Sequence, residues 1–142
     1  MNVARYRSPA KLVLGIVASV AAASAMAAEP DLSGYQGAWL AGGPDCADVY
    51  SLGAKSASFK KPVDIFAPAF IISGNRLRTP MATCRITSVK QSEDRQLLGL
   101  HCTNAVASND VTVLMSPTAD GSLRRYFNNH DTIGTTYLRC PR

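Results

Sequence analysis

The sequence has few of the side chains on which most enzymes and metal proteins depend. Only 2 of its 142 residues are histidine, and its 4 cysteines include no Cys-x-x-Cys pair. It contains no Gly-x-Ser-x-Gly, His-Glu-x-x-His, P-loop or Gly-x-Gly-x-x-Gly pattern. These are the common signatures of serine hydrolases, zinc proteases, and nucleotide and dinucleotide sites. We therefore expect no catalytic residues, no metal site and no cofactor.

Neither histidine lies in a pattern that defines a site. His101 is next to Cys102 in a strand-like run, and we expect an exposed strand residue rather than a catalytic base. His130 lies in a polar run, between Asn128 and Asp131, that is typical of a turn. These side chains offer ligand atoms for a metal or a polar molecule. One histidine and one carboxylate do not define a metal site, so we interpret the run as a loop.

A long apolar run occurs only at the start of the chain. Arg5, Arg7 and Lys11 precede a charge-free stretch of 17 residues from Leu12 to Ala28. A basic region, a short apolar region and small residues at the exit form the layout of a secretory signal. The pattern predicts a signal peptide over residues 1–27. Because a spanning helix needs about 20 apolar residues, we expect no stable membrane anchor after cleavage and a periplasmic or secreted protein.

Most of the excess positive charge lies in that predicted signal. The whole chain has 15 basic and 10 acidic residues, a net charge of +5. Removing Arg5, Arg7 and Lys11 leaves 12 basic residues against the same 10 acidic ones, a net charge of +2. A nucleic-acid-binding protein usually has a concentrated basic face or a recognisable motif, so we expect no nucleic-acid partner. The remaining length, residues 28–142, suits a single domain.

The cysteines predict two disulfides. An even number of cysteines in an exported chain favours disulfides, and four allow three connectivities. Two strand-like runs flank a five-residue polar loop, 91–95, which is typical of a β-hairpin. A hairpin centred on that loop places Cys84 opposite Cys102 on one sheet face, within disulfide reach. The remaining pair is then Cys46 and Cys140, which joins the first part of the fold to the last.

Strand-like alternation dominates the rest of the chain. Gly74 and Asn75 separate two such runs and are typical of a tight hairpin turn. Early strands are expected at Gly37–Ala41 and Val49–Leu52, and we find no sustained helical period after the signal. About eight strands joined by short turns predict an all-β antiparallel meander that closes into a small barrel. A two-sheet sandwich is the alternative.

The region around the single tryptophan resembles the opening of calycin-type barrels. Lipocalins and avidins begin their first strand with Gly-x-Trp, which is Gly37 and Trp39 here, and Arg139 stands at a matching late position. Small periplasmic inhibitors of bacterial metalloproteases are also similar, with a barrel, an early Gly-x-Trp and a nearby cysteine, here Cys46. The inhibitors have one disulfide, whereas four cysteines here predict two. The resemblance implies a barrel with Arg139 packed over Trp39.

Basic and aromatic residues mark the candidate partner-binding positions. Arginine next to aromatic side chains is a mixture enriched at protein interfaces. The alternative is that these charges simply keep the surface soluble. The candidate residues are Arg76, Arg78, Arg124, Arg125, Tyr126 and Phe127.

The sequence therefore predicts an exported, non-enzymatic β-barrel that binds another molecule. The bound molecule is either a partner protein, as for an inhibitor, or a small apolar ligand inside the barrel. A barrel of about eight strands is nearly filled by its own side chains, which favours the protein partner. The alternatives are a structural or maintenance role in the cell envelope, and a small hydrolase with an unrecognised site.

Overall fold

Antiparallel β-strands form the framework of the protein. The computed structural model describes residues 28–51, 53 and 55–141, and the signal peptide predicted over 1–27 lies outside them. None of the helices within these ranges has the length and apolar character needed to cross a membrane. The strands are β1 (Gly37–Ala41), β2 (Tyr50–Ser51), β3 (Ser58–Phe59), β4 (Ala69–Ser73), β5 (Arg76–Arg78), β6 (Thr83–Ser92), β7 (Arg95–Thr103), β8 (Ser108–Pro117), β9 (Leu123–Tyr126) and β10 (Thr135–Arg139).

Eight of these strands close into a barrel, in the order β1-β10-β9-β8-β7-β6-β5-β4. The closing strand is β1, which pairs with β10 on one side and with β4 on the other. The prediction of an all-β antiparallel barrel is confirmed, and the sandwich alternative is wrong. Closure leaves none of these eight strands with an unpaired edge, which protects a small β domain from edge-to-edge aggregation.

The segment between β1 and β4 lies outside the barrel and was predicted only in part, because the strand expected at Val49–Leu52 is present as β2 but begins at Tyr50. A short helix, α1 (Cys46–Val49), precedes β2, where the sequence indicated a strand from Val49. The backbone N–H of Asp45 donates to Asp48 Oδ2 at 3.3 Å, and this contact supports the first turn of α1. Strands β2 and β3 then form a separate two-stranded ribbon.

The β6–β7 hairpin has the expected cysteine register but a shorter turn. Cys84 pairs with Cys102, as predicted. The strands continue through the proposed five-residue loop as far as Ser92 and Arg95, so the turn contains only two residues. A β-bulge after Ile86 shifts the register by one residue, and this shift compensates for the shorter turn.

The barrel interior is filled by side chains. Trp39, Leu98 and Leu123 have no exposed surface, and Tyr35 is 1% exposed. These side chains belong to one continuous apolar cluster that draws residues from all eight barrel strands and from the segment before β1. Its members are Leu32, Tyr35, Trp39, Ala41, Phe70, Ile72, Leu77, Cys84, Ile86, Leu98, Leu100, Met115, Leu123 and Tyr137.

A second apolar cluster lies on the outer face of β1 and β4. The segment containing α1, β2 and β3 covers this face, and Tyr50 is its anchor. The Tyr50 hydroxyl lies 2.6 Å from the carbonyl oxygen of Trp39 and 3.1 Å from that of Phe70. Burial raises the pKa of Tyr50, which keeps the hydroxyl protonated and able to donate. Strands β1 and β4 are thus buried on both faces, which explains their unbroken apolar sequences.

The segment before β1 closes one end of the barrel. It contains a 3₁₀ helix (Ser33–Tyr35), and the Tyr35 hydroxyl bonds to Gln96 Oε1 at 2.5 Å. Burial raises the pKa of Tyr35 to about 12, so this hydroxyl is the donor at neutral pH. The Trp39 indole N–H donates to the carbonyl oxygen of Tyr35 at 2.8 Å. The guanidinium of Arg139 lies over the Trp39 ring, 4.8 Å from its centroid.

Two disulfides link distant parts of the chain. Cys84 is bonded to Cys102 across β6 and β7, and Cys46 is bonded to Cys140. These are the two pairings that the sequence indicates. Cys46 lies in α1 and not in a strand, so its bridge ties the outer segment to the end of β10. The barrel itself is closed by the hydrogen bonds of β1 rather than by this disulfide.

Candidate binding site

The loop between β9 and β10, residues 127–134, exposes two large apolar side chains. Phe127 is 92% exposed and Ile133 is 79% exposed. A large apolar side chain in water gains no burial free energy, so two of them on one short loop need a reason. Such side chains often lie on mobile loops. The hydrogen bonds of this loop, however, hold its backbone in place.

The backbone of the loop is held by the Asp131 carboxylate. One oxygen accepts the N–H of Phe127 at 2.9 Å, and the other accepts the N–H groups of Ile133 and Gly134 at 3.1 and 2.9 Å. The bond from Phe127 makes the largest contribution to lowering the pKa of Asp131 below its usual 3.8. Asn128 adds a second turn, because its side-chain oxygen accepts the N–H of His130 at 2.8 Å.

Arg95, at the start of β7, fixes the loop to the barrel. Its guanidinium lies over the ring of Tyr126, 3.7 Å from the centroid. The same guanidinium donates to the carbonyl oxygens of Asp131 at 2.6 Å and Asn128 at 3.2 Å. Planar guanidinium groups suit this combination of ring stacking and several hydrogen bonds. The loop is therefore held in one conformation from both sides.

Gly134 is required where the loop returns to β10. Its φ is +68°, which side-chain-bearing residues rarely adopt. A Cβ at this position would come within 2.8 Å of the carbonyl oxygen of Arg125 and of Arg124 Cγ. The chain can pass this close to β9 only because Gly134 has no side chain.

A surface hollow of about 460 Å³ lies beside the loop. Its lining includes the exposed side chains of Phe127 and Arg125 and the buried side chains of Tyr126 and Leu114. Tyr126 and Leu114 are paired across β9 and β8 and are 9% and 6% exposed. We name the loop 127–134 together with Arg125 the β9–β10 site.

The structure brings together only some of the predicted partner-binding residues. Arg125, Tyr126 and Phe127 all line the hollow, although Tyr126 is buried rather than exposed. Arg124 is half-buried, and its Nε has no partner among the described residues. Its side chain packs against the loop, because a Cβ on Gly134 would come within 2.8 Å of its Cγ.

The other predicted arginines lie elsewhere. Strand β5 is four positions from β9 around the eight-stranded barrel, so Arg76 and Arg78 lie on the opposite side. Arg78 donates to the carbonyl oxygen of Ala57 at 2.8 Å, and this bond holds the segment outside the barrel. The six candidate residues consequently belong to two separate surfaces.

Sequence reasoning missed the roles of two residues of the β9–β10 site and of Arg95, which fixes the loop from β7. The polar run Asn128 to Asp131 indicated a turn, but the role of Asp131 in holding Phe127 and Ile133 apart from the barrel was not inferred. Arg95 lies more than 30 residues earlier in the chain, and no local pattern links it to the loop. Ile133 is a lone apolar residue in the sequence, and its exposure follows only from the fold.

His101 forms part of a hydrogen-bonded trio on the outer face of β7 and β8. Its Nδ1 lies 2.7 Å from Asp110 Oδ1, and its Nε2 lies 3.0 Å from Ser108 Oγ. This is the connectivity of a serine hydrolase triad. The side chains are exposed, His101 by 53% and Asp110 by 86%.

The surroundings of this trio do not resemble an acyl-transfer site. Strand β7 is hydrogen-bonded to β6 and to β8, so its N–H groups belong to the sheet and do not form an oxyanion hole. The outer face of a strand is also open to water, which weakens electrostatic stabilisation of a transition state. We interpret Asp110 and Ser108 as groups that hold the imidazole of His101 in one orientation.

Within residues 28–51, 53 and 55–141, no group of three or more His, Cys, Asp or Glu side chains is placed to hold a metal ion. His130 is an exposed residue of the β9–β10 loop. Its backbone, bonded to Asn128, contributes to the turn. The loop interpretation of this run agrees with that contact.

The fold and the geometry at Trp39 are those that the resemblance to calycin barrels implies. Gly37 has a φ of +128°, a conformation that residues with a side chain rarely adopt, and it lies beside the side chain of Arg139. No protein-family model, curated protein or solved structure matches this chain. The protein is a closed eight-stranded antiparallel barrel, which is consistent with the calycin resemblance at Gly37, Trp39 and Arg139.

Proposed function

We propose that this protein is exported to the periplasm or the medium and binds a partner protein through the β9–β10 site without changing it chemically. The observation that carries the proposal is a loop with a fixed backbone that nevertheless exposes Phe127 and Ile133. A fixed loop loses little conformational entropy on binding, so its apolar side chains contribute most of their burial to affinity. Two disulfides fit the oxidising environment of an exported protein.

The composition of the site favours a protein partner. Aromatic residues and arginine are enriched at the centres of protein interfaces, and they carry a large share of the binding free energy. Phe127 and Arg125 are exposed side by side, with Ile133 on the same loop. We expect a partner that offers an apolar pocket for Phe127 and an acidic or carbonyl group for Arg125.

A small apolar ligand inside the barrel is less well supported. The interior is occupied by core side chains, among them Trp39, Leu98 and Leu123 with no exposed surface. Such a ligand would have to displace packed side chains, which costs several kcal/mol for each large residue. The inhibitor-like form of the proposal takes an exported metalloprotease as the partner, and its support is the resemblance at Gly37, Trp39 and Arg139.

The test is capture of partners by the exported protein and by two matched variants. Phe127→Ser removes the exposed aromatic of the site. Phe66→Ser removes an aromatic that is 86% exposed in the loop before β4. Extract and culture medium are passed over each immobilised protein, and the retained proteins are identified by mass spectrometry. We expect the wild type and Phe66→Ser to retain the same partner and Phe127→Ser to lose it.

Four results would contradict the proposal. Equal retention by all three proteins would place the contact elsewhere on the surface. Equal loss in both variants would show that capture depends on exposed aromatics in general. Retention of small molecules alone, unaffected by Phe127→Ser, would favour the barrel interior, and retention of nothing would favour a structural role in the envelope.

A further inference from the structure

A row of basic side chains crosses the outer face of β5, β6 and β7. Arg76 is paired with Arg85, and Arg85 is paired with His101. Residues paired in this way point to the same face, and all three are exposed. Like charges directly opposite each other destabilise a sheet. The pairing of Arg76 with Arg85 therefore lowers the stability of the sheet, and the folding of the barrel does not require two arginines at these positions.

These two arginines lack a carboxylate partner within the described ranges. The ion pairs found there involve Arg95 with Asp94 and His101 with Asp110. The repulsion between Arg76 and Arg85 is consequently not relieved by an acidic side chain of the described chain. An external anion would relieve it.

The arginines border a surface hollow of about 250 Å³. His101 and the hydroxyl-bearing residues Thr83 and Thr103 line the same hollow. The two guanidinium groups and the hydroxyl of Thr83 are hydrogen-bond donors that oxygen-rich anions accept from. They come from two neighbouring strands, about 5 Å apart, and so approach the hollow from different directions.

The frame of the hollow is rigid. Thr83 and Arg85 flank Cys84, and His101 and Thr103 flank Cys102. Because side chains alternate along a strand, the disulfide lies on the inner side while its four neighbours lie on the outer side. The covalent bond between β6 and β7 thus fixes the spacing of these two strands at the hollow. Both ring nitrogens of His101 are bonded, to Asp110 and to Ser108, so the imidazole forms a fixed wall of the hollow rather than a donor to the anion.

We propose that this hollow binds a dianionic tetrahedral oxyanion, the phosphate group of a monoester. Two guanidinium charges match the two negative charges of such a group better than the single charge of a carboxylate. Donors that approach from two strands in different directions suit a tetrahedral group better than a planar one. This site lies on β5 to β7 and is separate from the β9–β10 site, so it is a second binding function.

The test is a titration of the exported protein, with both disulfides formed, followed by the NMR signals of its backbone amides. Inorganic phosphate, sulfate and acetate are compared at constant ionic strength, because exposed charges are screened by salt. We expect phosphate and sulfate to shift the amides of Thr83, Arg85, His101 and Thr103 in a saturable way. Acetate should bind at least tenfold more weakly.

Two variants of β6 make the comparison specific. Arg85→Gln removes a charge from the hollow, and Lys90→Gln removes an exposed charge from the same strand outside it. We expect at least a tenfold weaker affinity for phosphate in Arg85→Gln and less than a twofold change in Lys90→Gln. Equal weakening in both variants, or acetate binding as tightly as phosphate, would overturn the proposal.

The source of the group is distinguished with two further probes. Glycerol phosphate is a soluble monoester, and vesicles containing phosphatidic acid present the same group on a surface. Binding of either probe that is lost in Arg85→Gln supports the site and identifies the kind of ligand. Binding of both probes that persists in Arg85→Gln would show that the hollow does not hold the anion.

Discussion

Arg139 lies over Trp39 because the two residues are paired directly across β10 and β1. The pairing places both side chains on the inner side of the barrel wall, where the arginine covers the indole at a centroid distance of 4.8 Å. Trp39 is completely buried, whereas Arg139 remains exposed. The two residues therefore contribute to stability in very different proportions.

Substitution of Trp39 and of Arg139 should measure separately the contribution of burial and that of cation–ring stacking to the free energy of unfolding. Trp39→Ala removes a fully buried aromatic and should lower the free energy of unfolding by about 3–5 kcal/mol. Arg139→Ala removes an exposed cation over a ring and should cost about 0.5–1 kcal/mol. Urea unfolding followed by far-UV circular dichroism measures both. Similar losses in the two variants would contradict the assignment of Trp39 to the core.

The two disulfides should differ in their contributions to stability. The Cys46–Cys140 bridge closes a separation of 94 residues and the Cys84–Cys102 bridge one of 18. Constraint of the unfolded chain grows with loop length, so replacing the first pair with alanine should cost about 4–5 kcal/mol and replacing the second about 3. Urea unfolding of the two double variants gives the comparison. A larger loss for the shorter loop would mean that native-state packing, rather than loop closure, dominates.

The pairing of Cys84 with Cys102 was predicted correctly from the sequence, although the sequence showed neither the true turn length nor the β-bulge. The two features shift the register of the hairpin in opposite directions, so the pairing is unchanged. The hairpin turn is shorter than the polar run around Glu93 indicates, and a β-bulge after Ile86 restores the pairing. Alternating residues and a polar loop identify the hairpin, but neither shows a bulge. Helix α1 was missed for a related reason. Four residues are too few for a helical period, although Asp45 and Asp48 are spaced as in a capping box.

The binding site was less predictable than the fold. Phe127 and Arg125 were identified by composition, because arginine next to aromatics is typical of interfaces. The fixed geometry of the loop depends on Arg95, which reaches it through the folding of distant strands. Arg76 and Arg125 lie on opposite sides of the barrel because β5 and β9 are four strands apart in the closed sheet. The sequence pattern identifies the strands but does not by itself show this distance. The local sequence pattern therefore predicts where the strands lie, whereas the surface that each residue belongs to follows from the closed barrel.

The loop should lose its fixed backbone at low pH through Asp131. The folded-state pKa of this carboxyl lies below the usual 3.8, because the N–H of Phe127, and then that of Gly134, stabilise the ionised form. Its stabilising effect is therefore complete above the unfolded value and is lost as the pH falls through the folded one. NMR signals of the Phe127 and Gly134 amides should titrate below pH 3.8. In Asp131→Asn these amides should show no such titration, and a midpoint above 3.8 would contradict the assignment.

The trio of Ser108, His101 and Asp110 should not act as a hydrolase. Without an oxyanion hole in the β7 backbone, the connectivity of a triad gives little stabilisation of a tetrahedral intermediate. We expect wild type and Ser108→Ala to hydrolyse p-nitrophenyl acetate at equal rates. A burst of nitrophenol from the wild type, with at least a tenfold lower rate in Ser108→Ala, would instead support the hydrolase alternative.

Substitution of Gly134 should show whether the fixed conformation of the β9–β10 loop, and not only its apolar side chains, is needed for binding. Gly134→Ala keeps Phe127 and Ile133 but places a Cβ within 2.8 Å of the Arg125 carbonyl oxygen, so the loop must move. Gly121→Ala is the matched control. Its φ is +83°, and a Cβ there meets nothing within 4 Å, so it carries the backbone cost of about 1–2 kcal/mol without the collision.

Both variants should therefore lose stability, Gly134→Ala by more because of its collision, but only Gly134→Ala should weaken partner capture. The expected loss is at least tenfold, because a mobile loop must be ordered at the moment of binding. Amide hydrogen exchange in residues 127–134 measures the mobility, and surface plasmon resonance against the captured partner measures the affinity. Faster exchange in Gly134→Ala with unchanged affinity would show that Phe127 and Ile133 bind from a flexible loop, and that the contacts of Arg95 and Asp131 serve the barrel alone.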